Sequence, residues 1–175
     1  GSLSFDGPMT VDSSGYIYVS QDAGIYKLNL STFSSILYAG VYSFGSYFYN
    51  TSQDGIINQN HLEASALISD NSGNVYFANG ANSFSSSVIN SGSRAFSIRQ
   101  IATNQTVSTI SGPTGGAGFT DGSLTDARFN GISCLFKDTT ENIFVCDQLN
   151  HLIRKVSPAG LVTTVVGHVG FNDYT

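Results

Sequence analysis

A chain of 175 residues is long enough for one domain with a substantial core. Only 11% of its residues are charged, and the seven basic ones are scattered under a net charge of -5, which excludes the basic face that nucleic-acid binding requires. No apolar run reaches the roughly 18 residues of a membrane-spanning helix, and no signal-like segment opens the chain.

Nineteen glycines, twelve Phe and nine Tyr, with short β-branched runs and no helical stripe, point to an all-β chain with tight turns. In chain order, the stretch "VDSSGYIYVS" at 11–20 reads as a turn followed by a strand, and "IYKLNLSTFSSILYAG" at 25–40 as two more strands. The same grammar returns as "SDNSGNVYFA" at 69–78 with "IRQIATNQTVSTISG" at 98–112, and as "KDTTENIFVC" at 137–146 with "IRKVSPAGLVTTVVG" at 153–167. Asp12, Asp70 and Asp138 stand at the equivalent turn position, where a carboxylate can accept the amides that follow it, and Gly15 and Gly73 can take a positive φ. The pair Asp54-Gly55 stands eight residues before Leu62, as Asp121-Gly122 stands eight before Phe129. Counting strands between these landmarks gives four per repeat.

On these residues the third copy, from "GFTDG" through "ARFN" to "DTTENIFVCDQLNHLIRKVSPAGLVTTVVG", resembles an NHL repeat, the unit of one class of β-propellers. Copies one and two resemble it more weakly. Copy one shortens the loop after its second strand to "QDAG", and copy two opens it with a polar insertion near 80–95 and lacks the Asn-His pair. A second "NHL" at 60–62 stands in the wrong context. The resemblance implies an all-β fold of about three NHL-type blades, each of four antiparallel strands: blade 1 about 4–53, blade 2 about 54–120, blade 3 about 121–170, and the start of a next repeat at 170–175. Closed propellers have four to eight blades, so the expectation is one part of a larger propeller of about six blades, or of an assembly of copies.

The stretch Asp147, Asn150, His151, Arg154 and Lys155 gathers most of the ionised and ring-nitrogen side chains of its neighbourhood. Two readings are open: a catalytic or metal constellation, or the corner of a repeat. The corner reading makes Asp147, Asn150, His151 and Arg154 structural ties of the loop between the second and third strands. Because Arg154 and Lys155 alternate with Ile153 and Val156, one of the two cations is expected to meet an Asp of the neighbouring blade. His61, His151 and His168 do not occupy equivalent repeat positions, so they cannot form a ring of ligands on a propeller axis. Glu63 and Glu141 stand apart, and no serine carries an activating motif. The expectation is therefore no catalytic residue, no metal and no cofactor.

Sequons occur at Asn29, Asn50 and Asn104, with Asn29 and Asn104 between the third and fourth strands of their blades, on the outer rim. Cys134 and Cys146 flank the third copy's hairpin, twelve residues apart, and become cross-strand partners if the turn centres on Thr140. They are then either a disulfide or two small buried thiols. The leading expectation is a non-catalytic extracellular or cell-surface module, structural or adhesive, assembling with other blades, copies of the chain, proteins or glycans. The competing expectation is a propeller enzyme of the lyase or lactonase kind with an axial metal. An RNA-binding propeller would need the basic face that is missing here.

Overall fold

The computed structural model describes residues 7–21, 24–40, 54–56, 62, 64–79, 97–112 and 117–169. The polar insertion near 80–95, the sequon at Asn50, His61 and the segment 170–175 lie outside them. Apart from one 3-10 turn, Gln148–Asn150, the regular elements are strands in three antiparallel sheets. Sheet 1 runs in order β1 (Met9–Val11), β2 (Ile17–Gln21), β3 (Gly24–Asn29) and β4 (Ser34–Gly40). Sheet 2 has β6 (Ala64–Ser69), β7 (Val75–Asn79), β8 (Ser97–Ile101) and β9 (Thr106–Ser111), with a fifth strand, β5 (Gly55–Ile56), on the outer edge of β9. Sheet 3 repeats this with β11 (Ile132–Lys137), β12 (Ile143–Asp147), β13 (Leu152–Val156) and β14 (Leu161–Gly167), edged by β10 (Gly122–Ser123) on β14.

Each sheet carries the four antiparallel strands expected per repeat, and among the described residues sheets 2 and 3 add a two-residue edge strand. The extra strand arises at the repeated Asp-Gly pair. Gly55 and Gly122 sit at φ +136 and +142, where an L side chain is strained. The chain turns there to lay two residues against the otherwise bare edge of the outermost strand, which shields unpaired backbone groups.

The aspartate turn is the same in all three copies. Asp12 Oδ1 accepts the amides of Ser14 and Tyr16, Asp70 Oδ1 those of Ser72 and Asn74, and Asp138 Oδ1 those of Thr140 and Asn142. This fixes the register of each inner hairpin. In sheet 3 the pairs run Lys137 to Ile143, Phe136 to Phe144, Leu135 to Val145 and Cys134 to Cys146. The two cysteines are joined in a disulfide.

The sheets stack face to face. Tyr18, Ile25 and Tyr38 of sheet 1 bury against Leu67, Val75, Phe77, Ile101 and Val107 of sheet 2. The opposite face of sheet 2, with Ala66, Tyr76, Ala78 and Ile98, buries against Leu135, Ile143, Val145, Val156 and Val162 of sheet 3. Alternation along its strands thus gives sheet 2 two apolar faces, one for each neighbour. Hydroxyls stitch the inner strands together: Ser69 donates to the Val11 carbonyl at 2.7 Å and Ser65 to the Ile132 carbonyl at 2.6 Å.

Candidate functional site

The ionised stretch of sheet 3 folds into one corner. Asp147 ends β12 fully buried, and its Oδ1 accepts the Asn130 amide at 2.7 Å. Its Oδ2 accepts Asn150 Nδ2 at 2.8 Å and Arg154 Nη1 at 3.0 Å. Asn150 also donates to the Gly118 carbonyl at 2.7 Å. The 3-10 turn makes this geometry possible, because it brings Asn150 back over Asp147 within three residues. His151 closes the turn at φ 58 with its amide on the Gln148 carbonyl, while its ring lies exposed.

Arg154 is completely buried, yet each of its five N–H groups has an acceptor. Nε and Nη2 reach Asp121 Oδ1 at 3.0 and 2.6 Å, Nη2 also the Thr120 carbonyl at 2.8 Å, and Nη1 both the Arg128 carbonyl and Asp147 at 3.0 Å. The expectation that a cation of this pair meets an Asp of the neighbouring blade is corrected here. The side chain of Arg154 leaves β13 on the same face as Val145, the face turned to sheet 2, but Asp121 and Asp147 both belong to its own sheet. The reason is the edge strand: the Asp121-Gly122 turn carries a carboxylate back over the guanidinium. Asp121 also accepts the Thr164 amide at 2.8 Å. Burial pushes its carboxyl up, but Thr164 and Arg154 together outweigh this and hold it below the ordinary carboxylate value.

Sheet 2 repeats the device. Arg99, also fully buried, meets Asp54 Oδ1 at 3.2 Å, and Thr109 Oγ1 donates to the same oxygen at 2.8 Å. Sequence reading missed Arg99, although aligning "IRQI" with "IRKV" places it on Arg154 and the Asp-Gly pairs place Asp54 on Asp121. Sheet 1 has Tyr26 at that position.

A cation that does cross between sheets is Lys137. Its Nζ lies 3.3 Å from Asp70 Oδ2 and 3.2 Å from the Tyr76 hydroxyl of sheet 2, and 2.6 Å from Glu141 in its own turn. Tyr76 in turn donates to Asp70 and accepts Gln100 Nε2. Burial alone pulls the ammonium pKa down, but Glu141, Tyr76 and Asp70 raise it above the usual lysine value. A cleft of about 210 Å³ opens beside this network, with Leu124, Pro158 and Gly160 on its apolar side. In sheet 1, Lys27 Nζ stands 3.9 Å from the centre of the Tyr16 ring and 5.2 and 5.5 Å from those of Tyr18 and Tyr38, so the chain's own ammonium fills this cluster of aromatic rings.

Asn29 lies at the end of β3 and its Oδ1 accepts the amide and hydroxyl of Ser31; Asn104 lies in the exposed turn between β8 and β9 with Oδ1 on the amide and hydroxyl of Thr106. Both carbonyl oxygens are held by the third residue of the sequon. Among the described residues no three His, Cys, Asp or Glu side chains converge as a metal site would need.

No family profile and no curated relative matches the chain. Solved structures do. A structural-genomics protein of unknown function from Bacteroides thetaiotaomicron aligns with a TM-score of 0.67 at 19% identity over 94% of this chain. An auxiliary nutrient binding protein from Bacteroides ovatus aligns with a TM-score of 0.60 at 17% identity over 90%, and one from Bacteroides thetaiotaomicron with 0.55 at 18% over 89%. The three sheets are β-propeller blades. The chain spans 36%, 36% and 34% of the length of these three propellers. Read as blades, β1, β6 and β11 are the inner strands, and the Asp147 corner lies on the opposite side of the ring from the aspartate turns.

Proposed function

We propose that the chain is part of an NHL-type propeller in an extracellular or cell-surface glycoprotein, and that it binds or assembles with protein or glycan partners rather than catalysing a reaction. The observation that carries this reading is Arg154. At the one place where the sequence concentrates ionised groups, Arg154 spends all five guanidinium N–H groups on acceptors of its own blade, so this guanidinium has no donor left to polarise a substrate. Asp147, Asn150 and Arg154 act as ties of the loop, and His151 contributes its backbone.

The Cys134–Cys146 bridge supports an oxidising compartment. The rim positions of Asn29 and Asn104 give a glycan room to project. A binding role is also in keeping with the two neighbours that are auxiliary nutrient binding proteins.

Intact-mass measurement of native material before and after glycosidase tests the reading. The expected result is a loss of mass from at least one of Asn29, Asn50 and Asn104. An unchanged mass together with two free thiols per chain overturns the extracellular assignment, and a stoichiometric divalent ion in elemental analysis favours a lyase or lactonase-type enzyme instead.

A further inference from the structure

The cleft at the junction of blades 2 and 3 is lined by both. Blade 2 contributes Ile110 and Gln100, and blade 3 contributes Leu124, Val156 and Pro158, with Lys137 and Glu141 as the charged residues of the lining. Its volume of about 210 Å³ equals that of about seven waters at roughly 30 Å³ each. Ligand sites for larger organic molecules start near about 300 Å³, so this cleft suits a compact ligand of about six or seven heavy atoms.

The two charged residues are where this junction departs from the repeat. Register puts Ser69 of blade 2 at the position of Lys137, and the aspartate turn puts Gly73 at the position of Glu141. Glu141 therefore carries a side chain at φ 69, in the region that Gly15 and Gly73 occupy at 81 and 86 without a Cβ. The chemistry of the pair decides what the cleft can take. Lys137 Nζ has three N–H groups and three acceptors, Glu141 at 2.6 Å, the Tyr76 hydroxyl at 3.2 Å and Asp70 at 3.3 Å, and its side chain is 9% exposed. The only cation of the lining thus has no donor for an anion. Acceptors remain. Glu141 is 60% exposed and its second carboxylate oxygen accepts nothing among the described residues; Gln100 turns Nε2 to Tyr76, and its Oε1 has no partner there either. Two carboxylates, Asp70 and Glu141, surround one ammonium, so the polar end is left with an excess negative charge.

We propose that this cleft binds a primary alkylammonium of about five carbons, with its ammonium on Glu141 and Gln100 Oε1 and its chain along Leu124, Ile110 and Pro158. The inference deepens the binding reading above and rests on it. A polyol of the same size would set most of its hydroxyls against those apolar residues without partners, and a carboxylate or phosphate would meet Glu141 with no free cation to offset it. An ammonium on a short chain satisfies both ends: it brings donors and positive charge to the acceptors, and methylenes to the apolar side. The same chemistry is carried by a free small amine and by the lysine side chain of a peptide.

Amide chemical-shift titration of the full chain with pentylamine tests this. The expected result is saturation with a Kd on the order of 1 mM, as suits so few heavy atoms, with the largest shifts at Leu124, Glu141 and Gly160. Pentanol and pentanoate, of the same length, are expected to bind at least about tenfold more weakly, since neither brings a charged donor. Glu141→Gln keeps the shape and removes the charge, and is expected to weaken pentylamine by about tenfold or more. Glu141→Gly does the same while relieving the backbone, so a melting temperature equal to or above the parent's separates lost binding from lost folding. A parallel titration with Nα-acetyl-lysine methylamide distinguishes the sources: binding as tight as pentylamine assigns the cleft to a lysine side chain, and weaker binding assigns it to a free amine. Shifts spread equally over the Asp12 turn of blade 1, no saturation, equal binding of pentanol, or an affinity that Glu141→Gln leaves unchanged each overturn the proposal. None of these results bears on the glycan and thiol measurements, which test the binding module's compartment separately.

Discussion

Arg154 sits fully buried in a small all-β blade at the expense of desolvating a full charge, and the fold answers with two carboxylates and two backbone carbonyls. Removing one member of such a set costs more than the average hydrogen bond, because the groups left behind stay out of water. Burial pushes the Asp147 carboxyl up, against the pull of Asn150, the Asn130 amide and Arg154, so its charge depends on those three donors. Asp147→Ala strands the Asn130 amide and one guanidinium N–H, and the expected loss is about 1–3 kcal/mol. Urea unfolding measures it. A variant of unchanged stability that lost a defined binding activity would instead make the corner a ligand site. Glu141 poses the opposite case. It holds φ 69 where the other two blades have glycine, and its carboxylate forms an ion pair with Lys137 while its own side chain is mostly exposed. The left-handed conformation costs roughly 1–2 kcal/mol for a residue with a Cβ, against about 0–1 kcal/mol for a pair whose carboxylate end is exposed. Glu141→Gly is therefore expected to leave stability equal or higher, by about 0–2 kcal/mol, and a loss in the same unfolding assay would show that the ion pair outweighs the strain.

At the scale of the strand and hairpin, the disulfide ties β11 to β12 on the face of blade 3 turned away from blade 2, at the positions of Ala66 and Ala78 in blade 2. The double variant Cys134→Ala with Cys146→Ala thus puts back the side chains that an equivalent hairpin carries, and isolates the cross-link. Closing a loop of this length is worth about 3 kcal/mol in the chain-entropy estimate. Thermal unfolding of the variant should fall by the corresponding amount, and titration of the denatured, unreduced protein should find no thiol. An unshifted transition would show the bridge to be dispensable. The hairpins were legible in the sequence because an aspartate turn fixes its own register through local bonds, from Asp138 Oδ1 to Thr140 and Asn142, and register then places every side chain up to Cys134. The fifth strands were not, although their Asp-Gly signal was visible: two residues carry no alternation, and only the approach of Asp121 to Arg154 and Thr164 shows what the turn is for. The partners of Arg154 were misplaced for the same reason. A strand pattern says which face a side chain leaves by, not where a long stem ends, and Lys137 crossing to Asp70 and Tyr76 was invisible on that ground.

Across the whole molecule, the carboxylates form the acid-sensitive set. Burial pushes Asp54 and Asp121 up, yet Thr109 with Arg99, and Thr164 with Arg154, hold both below the ordinary value. Burial likewise raises Asp70, but Asn74, Tyr76 and Lys137 bring it down, and Asn142 lowers Asp138. A carboxyl whose pKa is lower folded than unfolded stabilises the fold when both states are ionised, and that contribution is present above the unfolded value near about 4. It is lost as pH falls through the folded value. Because Asp54 and Asp121 tie outer edges to Arg99 and Arg154 in two different blades, their protonation loosens both sheets in the same window. Stability is therefore expected to fall below about 4, with the slope shared among these four groups, while Asp147, which burial holds above the ordinary carboxylate value, contributes with the opposite sign as pH falls through its folded value. Asp121→Asn keeps an acceptor for Thr164 and Arg154 but removes the titration, so it should lower stability at pH 7 and flatten the acid limb. Melting temperature recorded from pH 7 to pH 2 for both proteins checks it, and an acid limb as steep in the variant as in the parent would remove Asp121 from the set.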